Sequence, residues 1–144
     1  APQFVRDSEL ANETGWVAVD EATLQHPRFA NVFSLGDACG ASNAKTAAAV
    51  RKQAPVVAEN LCAALENRAP TARYEGYGAC PLTVEKGKVV LAEFGYQGKL
   101  QPSFPLDPTV PRSSMWWLKR HAMPKIYFEL MLKGHEWLAR PGKL

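Results

Sequence analysis

What this 144-residue sequence lacks narrows its class at the outset. There is no Cys-x-x-Cys pair. The three cysteines stand at 39, 62 and 80, an odd number without ligand spacing, which argues against both a disulfide scaffold and a metal site. No apolar run is long enough to span a bilayer, and no signal peptide opens the chain. There is no internal repeat and no low-complexity tract, so neither a solenoid nor a disordered linker is indicated. Surplus charge is small and uneven. Residues 1–112 carry 11 Lys/Arg against 12 Asp/Glu, a net −1, whereas residues 113–144 carry six against two, a net +4. The basic character therefore belongs to the tail, and nucleic acid is not among the expected partners.

What is present suffices for one domain, with 47% apolar residues to supply a core. The start, "APQFVRDSELANETGW", has no initiator Met and reads as a loop. A fragment of a longer chain is the expectation. Trp16–Asp20 reads as a short strand after the Gly15 turn, and Val32–Leu35 as a buried strand ending at Gly36-Asp37. From about Ala44 to Arg68 alanines, Val50, Val57, Leu61 and Leu65 recur at helical spacing, with Pro55 expected to kink the helix and Ala69-Pro70 to end it. Two strands follow, about Ala79–Val84 and Lys88–Phe94, joined by a tight turn at Lys86-Gly87. Gln101–Arg112 is a Pro/Ser-containing loop. Two helices are expected at the end, one from near Ser113 to before Pro124 and one from Pro124 to about Ala139, stopped by Pro141-Gly142. Three regions result: 1–70, 71–112 and 113–144.

The stretch "VFSLGDACGASNAKTAAAV", residues 32–50, carries the first chemistry. A helix start offers unpaired N–H groups and a partial positive charge, and so attracts anionic or electron-rich groups. An aspartate just before it can accept hydrogen bonds from sugar-like hydroxyls. The plain alternative is that Asp37 caps a turn and Lys45 is a solvated helix residue. In the tail, Met115, Trp116, Trp117 and Leu118 adjoin Lys119 and Arg120, and Ile126, Tyr127, Leu130, Met131, Gly134, Trp137 and Leu138 share one helical face. Phe128 and Leu132 sit amid the polar side. Such a pattern suits a membrane interface, and equally a helical hairpin packed on its own domain or on a dimer partner. His26, His121 and His135 are not clustered.

"GWVAVDEATLQHPRFANVFSLGDACG" resembles the second flavin-binding motif of the pyridine nucleotide–disulfide oxidoreductase superfamily. "KTAAAVRKQAPVVAENL", "YEGYGACPLTVEKGKVVLAEFGY" and "WWLKRHAMPKIYFELMLKG" resemble more narrowly its sulfide:quinone oxidoreductase branch. The resemblance implies an α/β fold, α+β as an isolated fragment: the C-terminal part of a two-Rossmann-type FAD/NAD(P)-binding fold, with a β-hairpin and two amphipathic helices. It implies FAD in the full-length protein, with Gly36 and Asp37 at the ribityl chain and Lys45 and Thr46 near the pyrimidine end of the ring, where a cation tunes the reduced cofactor. It implies that Cys80, before Pro81, belongs to a redox disulfide that sulfide attacks. By itself Cys80 also reads as a buried strand residue acting as a small hydrophobe. Cys39 would pack near the flavin, and Cys62 in the core.

The resemblance further implies a quinone pocket, with Phe94, Tyr96, Phe104, Trp116 and Tyr127 as its aromatics, and a monotopic peripheral membrane contact through residues 113–144. The Gly-x-Gly-x-x-Gly turn for the ADP half of FAD and the upstream partner cysteine are missing. The chain alone is therefore expected to bind FAD poorly, to be inactive, and to bury its exposed surface in a homodimer. Competing expectations are an NADH:quinone-type flavoprotein, which needs no Cys80, a flavocytochrome-type sulfide dehydrogenase, and a non-catalytic membrane- or partner-docking fragment.

Overall fold

The segment of alanines and amides in the middle of the chain organises the rest. The computed structural model describes residues 1–135 and 139–144. A short helix α1, Gln3–Arg6, precedes a long irregular segment; helix α2 spans Ala47–Leu65. Thr46 closes its N-terminus, its hydroxyl accepting from Ala49 N at 3.2 Å, the ordinary role of a threonine N-cap. Strand β1, Ala72–Arg73, pairs antiparallel with the C-terminal β4, Gly142–Lys143. β2, Gly78–Glu85, and β3, Lys88–Phe94, form an antiparallel hairpin with Gly87 at φ +80° in the turn. The chain is thus a mixture of helix and two small antiparallel sheets.

α2 buries a different face from the one its large apolar residues mark. The buried stripe is Ala49, Gln53, Val56, Asn60 and Ala63, while Leu61 and Leu65 are exposed. Asn60 decides the matter. Its amide is fully buried and uses all four of its hydrogen-bonding positions. Nδ2 donates to Thr23 O at 3.0 Å and Ala72 O at 2.9 Å, and Oδ1 accepts from Thr71 N and Ala72 N, both at 3.0 Å. Gln53, one helical repeat earlier, accepts from Gly36 N at 2.8 Å. These two amides hold the helix on either side of Pro55, and α2 runs through the proline to Leu65. Against this stripe lie Leu24, Cys39, Ala41, Ala72 and Tyr74, the buried core, with Val19, Val57 and Tyr96 at its edge.

Two expected strands do not form. Val17 makes isolated bridges to Ala11 and Cys39, and Phe33 one bridge to Gln25. Backbone groups here are satisfied by turns instead, among them His26 N to Val32 O at 2.8 Å and Ser34 N to Leu24 O at 3.1 Å. A ladder needs a neighbouring strand alongside, and no described segment supplies one; the parallel sheet of a two-Rossmann architecture is not seen among the described residues.

The tail also differs from expectation. Residues 113–133 form one helical run through Pro124, with wide π-type turns at Leu118–Ala122 and Ile126–Leu130. Widening the backbone rings on either side of a residue without an N–H lets the helix continue. It ends at Gly134 rather than near Ala139. Gly134 is left-handed (φ +77°), its N–H meets Met131 O, and His135 N meets Leu130 O, the closing pattern that glycine permits. Gly142 pairs in β4 instead of stopping a helix. Trp137 and Leu138 lie outside the described residues. No described helix is long and apolar enough to cross a membrane.

Replacing Asn60 with Ala strands two backbone donors and two carbonyls. We expect a loss of about 3 kcal/mol in unfolding free energy, read as a lowered urea midpoint; a change under ~0.5 kcal/mol would mean that the amide is not the clamp described.

Candidate functional site

The N-terminal end of α2 gathers the first group of expected residues. Gly36 is left-handed (φ +68°) and starts a single 3-10 turn, Gly36–Ala38, that leaves Asp37 exposed. The chain then turns back so that Lys45 Nζ donates to Cys39 O and sits 4.0 Å from the centre of the Trp16 ring. Desolvation lowers the Lys45 ammonium pKa, while Cys39 and Asp37 oppose the shift. Burial pushes the Cys39 thiol up, against the pull of a hydrogen bond from the Ala41 backbone and of Lys45. Asp37, Cys39, Lys45 and the cap Thr46 therefore share one electrostatic neighbourhood. In the first turn the Thr46 hydroxyl takes Ala49 N, and the N–H groups of Ala47 and Ala48 have no acceptor within the helix.

The hairpin has two unlike faces, because side chains alternate along a strand. Gly78, Cys80 and Leu82 on β2, opposite Phe94, Ala92 and Val90 on β3, form the more open face. A side chain at Gly78 would meet the Phe94 ring at 3.0 Å and Ala44 O at 3.5 Å, so this face starts beside the residue preceding Lys45. Cys80 is half-buried and unbonded to another cysteine. Cys62, expected in the core, is exposed, because α2 turns its amide stripe inward.

The opposite face carries Ala79 on β2 and Val89, Leu91 and Glu93 on β3, all buried. The 101–112 loop and the start of the tail helix cover it. A narrow, mostly apolar crevice of about 20 Å³, room for about one water, lies between Leu91, Glu93, Phe104, Leu106, Arg112 and Met115. Glu93 is 3% exposed. Its carboxylate accepts from Tyr77 OH at 2.5 Å, from Ser103 N at 2.9 Å and from the Ser103 hydroxyl. Arg112, across the pocket, has a buried Nε without an acceptor among the described residues. Burial, reinforced by the Glu93 hydrogen bond, pushes the Tyr77 phenol up to about 12. On the far side of Tyr77 and Ser103 opens a polar cleft of about 240 Å³, bordered by Lys52, Arg73, Glu75, Gln101 and Arg140.

The five expected pocket aromatics are spread over several places. Phe104 lines the apolar pocket. Phe94 covers Gly78 on the other face of the hairpin. Tyr96 packs against the core, edge-on to Tyr74 at 5.9 Å, its hydroxyl donating to Glu21 O at 2.6 Å. Trp116 is half-buried on the tail helix, and Tyr127, 45% exposed, meets Phe128 edge to face at 5.0 Å. The sequence reading missed Gln53, Asn60, Tyr77, Glu93 and Ser103. A signal existed for three of them: Gln53 and Asn60 interrupt a small-residue helical stripe, and Glu93 follows Val89 and Leu91 at alternate positions where an apolar residue is the rule.

Comparison with known proteins yields a consistent result. No protein-family model matches the chain. Three curated proteins, each named mitochondrial sulfide:quinone oxidoreductase, are similar along most of it. The Mus musculus protein is 38% identical over 135 residues, the Schizosaccharomyces pombe protein 39% over 145, and the Dictyostelium discoideum protein 40% over 131. These matches cover 94%, 97% and 90% of this chain, which spans only 30%, 32% and 29% of those proteins. A chain in the cryo-EM structure of the Tetrahymena thermophila mitochondrial ATP synthase superposes with a TM-score of 0.78 at 25% identity, over 98% of this chain and 33% of that one. The sulfide:quinone oxidoreductase-like character expected from the motifs is thus borne out.

The three thiols differ in burial enough to rank them. With the chain reduced, iodoacetamide labelling read by peptide mass spectrometry should modify Cys62 first and Cys39 last, and Cys39 should need the higher pH because its thiol pKa is raised. Labelling of Cys39 at the pace of Cys62 would contradict the buried placement.

Proposed function

We propose that this chain is the C-terminal part of an FAD-dependent flavoprotein that oxidises sulfide and reduces a quinone. The observation that carries the reading is the similarity to sulfide:quinone oxidoreductases over 90–97% of the chain, joined to a helix start whose chemistry fits a flavin. The fit is specific. Asp37 is an exposed carboxylate able to accept from ribityl hydroxyls. The Ala47 and Ala48 N–H groups and the Lys45 ammonium offer donors and positive charge to the electron-rich pyrimidine end. When bound, a flavin would supply two-electron redox chemistry; Asp37 would hold it, and Lys45 and the helix start would favour its reduced, anionic form.

Cys80 supplies the sulfur chemistry. Hydrosulfide attacks the disulfide that includes Cys80: one S–S bond forms as the other breaks, leaving a persulfide on one cysteine and a thiolate on its partner. The thiolate released by that exchange would be the electron-pair donor, and a bound flavin would supply the two-electron acceptor chemistry. Neither Cys39, buried in the core, nor Cys62, exposed on α2, is suited to be that partner.

The tail supports peripheral membrane contact. Trp117, Phe128 and Leu132 are each about 60% exposed on the helical run that also carries Arg120 and Lys125, and cations near exposed apolar side chains match an anionic lipid surface.

Anaerobic flavin absorbance of the full flavoprotein carrying this chain tests the first reading. Sulfide should bleach the flavin, a Cys80→Ser variant should lose that response, and NADH should have little effect. Bleaching by NADH with an unchanged variant would make the protein an NADH:quinone reductase. For the tail, changing Trp117, Phe128 and Leu132 together to Ala should lower co-sedimentation with anionic phospholipid vesicles about tenfold or more; unchanged sedimentation would leave a protein–protein role for these side chains.

A further inference from the structure

The polar cleft beyond Tyr77 and Ser103 takes no part in the chemistry proposed above, and its charge is lopsided. Lys52, Arg73 and Arg140 border it against a single carboxylate, Glu75. Lys52 Nζ lies 5.9 Å from the centre of the Tyr77 ring, and Arg51, its neighbour on α2, adds positive charge beside the same phenol. Arg73 ends β1, and Arg140 lies just before β4. The pairing of those strands, with Arg73 opposite Gly142, brings the two arginines to one cleft.

The same pairing sorts the cations. Lys143, on β4, has a counter-charge: its Nζ donates to Glu59 Oε1 at 2.6 Å. Arg73 and Arg140 form no ion pair among the described residues, although Glu75 borders the same cleft. Gly142 makes room for one of them. A Cβ there would meet Arg73 Cγ at 2.8 Å and Glu75 Oε1 at 3.3 Å, so the arginine stem lies against bare backbone. A guanidinium is a planar fork that matches the oxygens of an anion two at a time. The cleft, about 240 Å³, falls just below the ~300–1,000 Å³ of sites for drug-sized molecules, which suits a small organic anion better than a lone ion. Three cations against one carboxylate favour a ligand with close to two negative charges, and a phosphate monoester carries about −1.5 to −2 at neutral pH. The Tyr77 and Ser103 hydroxyls donate to Glu93, which leaves lone pairs on their oxygens to accept from a ligand hydroxyl.

We propose that this cleft binds a small phosphate monoester, with Arg73 and Arg140 holding the phosphate oxygens and Lys52 adding charge. The phosphate could arrive on a soluble molecule or on a lipid headgroup; the chemistry recognised is the same. The site stands apart from the sulfide and quinone readings and does not depend on either.

The test is isothermal titration calorimetry of the full flavoprotein carrying this chain, with glycerol 3-phosphate and inorganic phosphate as probes and ionic strength held constant by chloride. Saturable binding of glycerol 3-phosphate is expected. Arg73→Gln and Arg140→Gln should each raise its Kd about tenfold or more, and Lys86→Gln, at the hairpin turn, should leave it unchanged. Gly142→Ala keeps every charge but displaces the Arg73 stem, and should weaken binding as well. If Arg73→Gln lowers Tm, Arg140→Gln decides, since Arg140 lies outside both strands. No binding beyond that of chloride would overturn the proposal. So would parent-like binding in Arg140→Gln, or an equal loss in Lys86→Gln, which describes a diffuse field rather than a site. Binding of inorganic phosphate without binding of glycerol 3-phosphate would overturn the monoester assignment. Vesicles containing phosphatidic acid separate the two sources: weaker co-sedimentation of the arginine variants than of the parent assigns a lipid headgroup, and equal co-sedimentation alongside glycerol 3-phosphate binding assigns a soluble ligand.

Discussion

The Asn60 side chain is the constraint on which the rest of this structure depends. A primary amide sunk into a core is tolerable only when each of its donors and acceptors is met, and here four backbone partners meet it. Those partners come from two segments, Thr23 and the Thr71–Ala72 entry into β1. One residue therefore fixes which way α2 faces and where the loop of the twenties runs. It also fixes where β1 begins, and so where the C-terminal β4 can pair. Gln53 repeats the device one helical repeat earlier, at Gly36, and thereby ties the Gly36–Ala38 turn to the helix that follows it.

That arrangement has a functional consequence. Asp37, Lys45 and Thr46 all belong to segments flanking the N-terminal end of α2, and the Gln53–Gly36 contact sets the distance between turn and helix. The proposed cofactor-facing groups are positioned by buried amides they do not touch. The outer side of α2 leaves Leu61 and Leu65 exposed among the described residues. The chain's third-length coverage of its relatives is consistent with such a surface meeting other parts of a larger protein.

The hairpin applies the same logic to two faces of one sheet. Alternation along β2 and β3 separates Cys80 from Glu93 and puts them on opposite sides of a two-stranded ribbon. Lys119 ties the tail helix to β2 by donating to Pro81 O and Thr83 Oγ1, both at 2.8 Å. The mutual backbone bonds of Val89 and Arg112 anchor the loop that roofs the apolar pocket. The tail is thus attached near its start, with exposed Trp117 between the Arg112 and Lys119 anchors and exposed Tyr127 and Phe128 beyond them.

Some of this was legible in the residues because its causes are local. Lys86-Gly87 sets a hairpin through turn chemistry, Thr46 starts a helix through a cap three residues away, and the Gly-Asp and Cys-Pro motifs identify relatives by their order along the chain. What required the tertiary structure depends on partners distant in sequence. Trp16–Asp20 and Val32–Leu35 have strand-like composition, yet a ladder exists only if another strand lies alongside. The large side chains of α2 pointed to one face, but burial went to the face where Thr23, Thr71 and Ala72 saturate Asn60 and Gly36 meets Gln53. Pro124 suggested a break that widened backbone rings avoid. Glu93 looked like one more charged residue in a strand until the loop bearing Ser103, ten residues on, closed over it. The sequence determined the local elements and the chemistry available. The tertiary structure decided which faces are buried and which side chains meet, because hydrogen-bond saturation of buried polar groups is settled only when the whole chain is in place.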